Sequence, residues 1–415
     1  MTDREHRTPA VAIAGAGFMG RVHARAALVN GARLVGISSS NPDRAARAAA
    51  GLGAPRGYAS SEELVTDPDV DVVHVCTPNH LHAPLVLAAL DAGKHVICEK
   101  PLATNVTSAL ELFRRAESAG VVAAVPYVYR YYAMVREARI RIRVGQLGRL
   151  ALVHGSYLQD WLLASSETNW RVDPVLGGPS RSFADIGSHW CDLVEFVTGD
   201  RIERVNAQFD TVRSRRPDPV GSGDTFSPAA AGTGAGGPAH GSVAGGDGVW
   251  VTTEDTAVVQ FRTTAGVLGS VVVSQVAAGH KNHLSLELFG TEGSASFDDR
   301  HPDLIRISRD GATTELERDP QRLSSDAAQY SRMPAGHAQG YQDCVDAFVG
   351  ETYQAVRTGE TDPLLPTFAA GVRAAAITDA VIASAANGSP WVEVVDPLPA
   401  VGPRRGAPSL HPSSS

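Results

Sequence analysis

Residues 11–20 read VAIAGAGFMG: an apolar run, Val11–Ala14, then Gly15, Gly17 and Gly20, then a helical pattern over Val22–Leu28. Each glycine has its own physical use here. Gly15 permits a tight turn, Gly17 lets the backbone approach a pyrophosphate, and Gly20 lets the new helix pack close to the strand. The helix N-terminus then faces the phosphates. A bare glycine pattern is weak evidence, but strand, turn and helix in this order make it a dinucleotide-binding turn.

Working outward, strand and helix signals alternate: Arg33–Ser38, Pro42–Leu52, the run Val70–Thr77 ended by Pro78, Pro84–Ala92, His95–Glu99, Ala109–Ala119 and Val121–Val125. That alternation predicts a doubly wound parallel sheet covered on both faces, a Rossmann domain over residues 1–128. Arg136–Val144 connects to a different pattern. Strand-like runs at Leu150–Leu158, Val205–Val212, Thr256–Arg262, Val267–Val276, Leu284–Phe289, Ser294–Phe297 and Leu304–Ser308 predict an open, mostly antiparallel sheet over residues 129–396. Helices at Ile186–Val197, Tyr341–Val356 and Phe368–Ala386 flank it, so the class is α/β followed by α+β. Residues 217–248 hold ten Gly, six Ala, four Pro and three Ser. Such a stretch cannot bury enough apolar surface to offset ordering entropy and reads as a disordered inserted loop, as does the tail 397–415.

Composition narrows the function classes. The 415 residues carry 37 basic and 45 acidic side chains, a net charge of −8, which excludes the basic face of a nucleic-acid binder. The N-terminus MTDREHRTPA has no apolar signal region, and no stretch approaches the ~20 apolar residues of a membrane span. The four cysteines have neither CxxC spacing nor dense pairing, so they read as reduced thiols of a cytoplasmic protein.

The second strand ends in Ser38-Ser39-Ser40-Asn41. NAD sites usually carry an acid there, on the ribose hydroxyls. Ser39 removes that repulsion of a 2′-phosphate, Ser40 adds a donor and Arg44 lies one helical turn on, which favours NADP over NAD. The loop Thr77-Pro78-Asn79-His80-Leu81-His82 leaves an apolar strand where it would cross the nicotinamide half of the cofactor. Its HxH is better suited to capping and packing than to a metal.

Only three lysines occur, and Lys100 sits in Cys98-Glu99-Lys100-Pro101 just past a parallel strand. Open α/β sheets bind ligands at such ends, and an ammonium there can steer the proton of a substrate hydroxyl; a surface lysine is the plain alternative. Asp185, His189 and Asp192 share a stripe of the predicted helix. Carboxylate beside imidazole suits proton transfer at an alcohol carbon. A helix-surface ion pair and a metal set remain as alternatives, although the spacing is a poor metal pattern. Tyr157, Gln159, Asp160, Trp161, Trp170 and Arg171 are polar and aromatic residues suited to a small-ligand pocket, or else to the core.

Together GAGFMG (15–20), TPNHLH (77–82), AALDAGKHVICEKPLA (88–103) and GGPSRSFADIGSHWCD (177–192) resemble the glucose–fructose oxidoreductase / inositol dehydrogenase (Gfo/Idh/MocA) family. The resemblance covers about residues 10–395, outside the insert. It implies catalytic Lys100, Asp185 and His189, with cofactor contacts from Gly15, Phe18, Met19, Ser39, Ser40, Thr77, Asn79, His82 and Glu99. YLQDWLL (157–163) and NWR (169–171) are similar to members acting on cyclic sugars. The expectation is an NAD(P)-dependent oxidoreductase acting on a sugar, anhydrosugar or inositol, forming a homo-oligomer (dimer or tetramer) through the second sheet. A glycoside hydrolase using transient oxidation and a non-catalytic cofactor-binding regulator are the alternatives.

Overall fold

The computed structural model describes residues 8–164, 167–217 and 248–398. The first layer runs β1 (Ala10–Ala14), α1 (Phe18–Val29), β2 (Arg33–Ser38), α2 (Pro42–Leu52), β3 (Arg56–Gly57), α3 (Ser61–Thr66), β4 (Val72–Val75), α4 (His82–Asp91), β5 (His95–Cys98), α5 (Val106–Ala119) and β6 (Ala123–Ala124). Its strands are all parallel and lie in the order β3-β2-β1-β4-β5-β6. Helices cover both faces, so β1 and β4 are buried along their whole length and read as continuous apolar runs. The order reverses between β1 and β4, and the carboxyl ends of β1, β4 and β5 open a crevice there.

The chain continues through α6 (Ala133–Arg143), β7 (Leu150–Leu158), α7 (Pro174–Gly177), α8 (Ser188–Thr198), β8 (Ile202–Asp210), β9 (Arg215–Arg216), β10 (Val249–Trp250), β11 (Thr256–Thr263), β12 (Leu268–Ser274), β13 (His283–Gly290), β14 (Gly293–Asp298), β15 (Leu304–Arg309), β16 (Ala312–Glu317), α9 (Ser325–Ala328), α10 (Tyr341–Thr358), α11 (Phe368–Ala386) and β17 (Val392–Glu393). The second sheet has the order β16-β15-β14-β13-β7-β12-β11-β8-β17. It is mixed rather than wholly antiparallel, because β12 returns beside β7 in parallel, from Leu268↔Leu152 to Ser274↔Leu158. Its inner face buries Val153, Val271, Val273, Leu284 and Leu286 against α8. There Trp190 lies on Gly155, where a Cβ would meet its Nε1 at 2.8 Å, and Trp190 donates to the Ser285 carbonyl at 2.8 Å. Leu152, Val258, Leu268 and Phe289 remain exposed on the sheet.

α11 ties the two sheets together. It packs on α5 and β8, and Val125 N donates to the Pro366 carbonyl just before it. Contrary to the composition reading, this 19-residue helix is long and apolar enough to cross a membrane by length and composition. Here it is mostly buried, and its Arg373 pairs with Glu195 at 2.7 Å. Most of the expected disordered loop and the tail from residue 399 lie outside the described residues. The ends of that loop are joined by the antiparallel pair β9–β10. Behind it Asp255, fully buried, pairs with both Arg181 and Arg216.

Candidate active site

The glycine turn lies at the crevice. Gly15 has φ +109° and donates to the Ser38 carbonyl at 3.1 Å. A Cβ on Gly15 would sit 2.5 Å from the Cys76 carbonyl, and one on Gly20 would sit 1.9 Å from the Gly15 carbonyl. The turn is therefore pressed against the end of β4. α1 opens at Gly17 with no side chain capping its first N–H groups, and the Thr77 hydroxyl is buried without a partner. Free helix-terminal donors and an unsatisfied hydroxyl beside a glycine cradle fit a dinucleotide. At the end of β2, Ser39 is half-buried, Ser40 is exposed, and an Arg44 nitrogen reaches the Ser40 hydroxyl at 3.4 Å.

Two of the expected cofactor contacts have their side chains engaged elsewhere. Both nitrogens of buried His82 face carbonyls, Pro101 at 2.8 Å and Thr77 at 2.9 Å, and burial lowers its pKa. His82 thus shapes the loop. Glu99 turns into the core: its carboxylate accepts from Lys100 N at 3.1 Å and meets His23 at 3.0 Å. Asn79 donates to the Gly177 carbonyl at 2.7 Å, bridging the loop to the second half of the chain.

Lys100, from the end of β5, spans the crevice. Its Nζ donates to the Asp185 carboxylate at 2.5 Å and to the Asp185 carbonyl at 2.9 Å. Asp185 lies in a single wide turn, Phe183–Gly187, with i→i+5 geometry, which runs straight into α8. Such turns recur at functional sites. Buried Glu254 secures it, accepting from Phe183 N at 2.8 Å and Ser180 Oγ at 2.7 Å.

The expectation that Asp185 orients His189 is corrected. The other Asp185 oxygen accepts from Gln275 Nε2 at 2.8 Å, Arg171 stands 3.9 Å away, and no hydrogen bond joins Asp185 to His189 among the described residues. Burial opposes the charge on Asp185, yet Lys100 and then Arg171 hold its carboxyl well below the usual range. Burial first, and the Lys100 charge second, push His189 down to about 3. It is a neutral imidazole whose Nδ1 is buried without a partner, set edge-to-face between the rings of Tyr127 and Tyr129. Asp192 also leaves the expected stripe, because it is buried in a bidentate pair with Arg130. Among the described residues no three metal-ligating groups converge.

The rim combines Arg171, stacked 4.3 Å over Trp170, with Trp161, whose indole donates to Gln159 at 2.6 Å. Gln159 donates to Asn282 at 2.8 Å. Tyr157 is buried, and its hydroxyl is shared between Tyr129 (2.5 Å) and Asn282 (3.0 Å). It stiffens the wall near His189, with its hydroxyl already bonded on both sides. Gln275 and Asn282 were missed by the sequence reading. The signal for Gln275 was a polar residue interrupting the apolar run Val267–Val276.

Residues 10–127 match the oxidoreductase family with an NAD-binding Rossmann fold (GFO/IDH/MocA), and residues 135–296 match the GFO/IDH/MocA C-terminal domain. Levoglucosan dehydrogenase of Pseudarthrobacter phenanthrenivorans is 32% identical over 402 residues, covering 92% of this chain and 97% of that protein. The chain belongs to the GFO/IDH/MocA family. Among solved structures, a levoglucosan dehydrogenase in complex with NADH superposes with a TM-score of 0.81 at 28% identity, covering 94% of this chain and 100% of that one. An inositol dehydrogenase homolog with NAD+ from Azotobacter vinelandii gives 0.80 at 26%, covering 95% and 100%. As a GFO/IDH/MocA protein the chain is an NAD-binding oxidoreductase; opposite Lys100 stand Asp185 of the wide turn, His189 of α8 and Gln275 just past β12.

Proposed function

We propose that this chain is an NAD(P)-dependent dehydrogenase moving a hydride between nicotinamide and a secondary alcohol carbon of a sugar, anhydrosugar or inositol. The observation carrying this reading is the bond from Lys100, at the end of β5, to Asp185 in the wide turn that leads into α8 and His189. A dinucleotide with its pyrophosphate at the glycine turn would supply, in its nicotinamide ring, a two-electron hydride acceptor. The residues of this chain do the rest. Lys100, fixed by Asp185, donates to the substrate oxygen and stabilises the negative charge that grows there. Neutral His189 takes the hydroxyl proton and, in reduction, returns it. Gln275 holds the Asp185 carboxylate so that one oxygen stays on Lys100. Arg171, Trp170, Trp161 and Gln159 stack on and hydrogen-bond the ring, as cyclic polyols need. The relatives' names, levoglucosan and inositol dehydrogenases, support this substrate class.

Ser39, Ser40 and Arg44 in place of an acid support NADP in preference to NAD. The exposed apolar residues of the second sheet support a homo-oligomer built on that face, and free cysteines support a reducing, cytoplasmic setting. The test is a panel of levoglucosan, myo-inositol and related polyols with each cofactor, read by absorbance of reduced nicotinamide. Substrate-dependent reduction, faster at low NADP+ than at low NAD+, is expected. Aglycone release from a glycoside without net reduction, or stoichiometric cofactor binding without any turnover, overturns the reading.

A further inference from the structure

Behind the crevice runs a buried chain of polar side chains that the reaction above does not use. Tyr353 of α10 bonds His74 Nε2 at 2.8 Å, His74 Nδ1 faces His23 Nδ1 at 3.0 Å, and His23 Nε2 meets Glu99 at 3.0 Å. Glu99 in turn accepts from the backbone N–H of Lys100 at 3.1 Å. His23, His74 and Tyr353 are 0% exposed and Glu99 is 6% exposed.

An Nδ1–Nδ1 contact needs one proton between the rings; with Glu99 ionised and His74 neutral, two arrangements satisfy the chain. In the first, both imidazoles are neutral: Tyr353 donates to His74, His74 to His23, and His23 to Glu99. In the second, His23 carries both protons and donates to His74 and Glu99, while His74 donates to Tyr353. The first leaves a buried carboxylate with no cation on its inner side, and an uncompensated buried charge is costly. The second cancels it.

We propose that His23 is a positioning residue of this active site: a buried imidazolium that keeps Glu99 ionised, so that Glu99 holds the Lys100 backbone through a charge-assisted bond. The proposal rests on the role given to Lys100 above. The surrounding groups agree. Glu99 also faces Lys100, His189, His82, Cys98 and Tyr341, and His23 also faces Cys76. Burial alone would strip His23 of its proton unless a neighbouring anion opposes it, and Cys76 and Glu99 are the two groups placed to do so. Burial keeps Cys76 a neutral thiol, so Glu99 is the effective anion. Glu99 is lowered despite its burial, with the His23 hydrogen bond the main influence opposing it, and burial holds His74 neutral.

The deciding measurement is the ¹⁵N spectrum of the histidine rings in the wild-type protein at about pH 8, above the ordinary histidine range. Both His23 nitrogens should be protonated, and Glu99→Gln should turn His23 neutral at the same pH. A neutral His23 in the wild type overturns the proposal whether or not any variant folds. In His23→Gln, burial should push the Glu99 carboxyl up from where it stands in the wild type. The pH profile of levoglucosan oxidation by NAD(P)+ should then gain a limb that the wild type lacks and that His23→Gln/Glu99→Gln loses. Uniform loss of activity at every pH would mark His23 as merely structural and overturn the positioning role. Absence of turnover in the wild type would instead remove the reading of Lys100, while the ring spectra still decide the charge of the pair.

Discussion

Replacing Lys100 by methionine keeps an unbranched side chain, one atom shorter, and removes its charge. The ammonium makes two bonds to Asp185, at 2.5 and 2.9 Å, and it is the main group holding that carboxyl ionised. Losing a preorganised donor at the developing oxyanion costs about 10²–10³ in turnover. Losing its share of proton handling adds to that, so kcat should fall roughly 10³–10⁴-fold. Asp185 keeps Gln275 and a more distant Arg171, and the Lys100 and Asp185 side chains are 14% and 17% exposed. The stability loss should therefore be about 2–3 kcal/mol, below the 3–5 of a fully stranded buried charge. His189 is depressed by burial and then by Lys100, so its pKa should rise in the variant and move the acid limb of residual activity to higher pH. The assay is reduced-nicotinamide absorbance at saturating cofactor, with cofactor affinity measured separately by fluorescence. Turnover within about tenfold of wild type, with cofactor bound, refutes the assignment.

Other perturbations follow from the same geometry. Burial places His189 at about 3 in the folded chain against ~6.5 unfolded, so the unfolded state binds the extra proton first and stability falls as pH drops through that window. His189→Asn should flatten that fall by up to about 5 kcal/mol, read from urea midpoints across the acid range; an unchanged slope counts against the neutral imidazole. Gly15→Ala forces a Cβ into the Cys76 carbonyl at positive φ and should weaken cofactor binding at least about 100-fold in a fluorescence titration. Gln275→Leu frees one Asp185 oxygen, a loss of about 1–1.5 kcal/mol, and should lower kcat roughly tenfold with little change in KM. A rise in KM alone would place Gln275 in ground-state binding instead.

Much of the frame was legible because it rests on periodicity. β7 and α11 were read to the residue, since alternation over Leu150–Leu158 and the apolar face of Phe368–Ala386 end in clear breakers. β16 was missed because Ala312–Glu317 is almost wholly exposed and carries no apolar signal. The parallel return of β12 beside β7 depends on tertiary pairing that no local pattern encodes. At the site, Lys100 and Asp185 were legible as chemistry, but their mutual bond was not. The Asp185–His189 spacing assumed a regular helix, whereas the wide turn at Phe183–Gly187 aims the carboxylate at Lys100. Asp192 was misjudged because its partner, Arg130, lies 62 residues earlier.

The short ladder between Arg215–Arg216 and Val249–Trp250 has an engineering consequence. The main chain runs out and back through this separate two-stranded ladder at one spot, anchored by two guanidinium groups on one carboxylate, with Gly248 so close to the Arg216 carbonyl that a Cβ would sit 2.8 Å away. Because loop-closure cost grows only slowly with length, the stretch between these anchors is a cassette. A peptide tag or a small reporter spliced in place of residues 218–247 would begin and end at ends already brought together. The catalytic crevice would be left to the strands that build it.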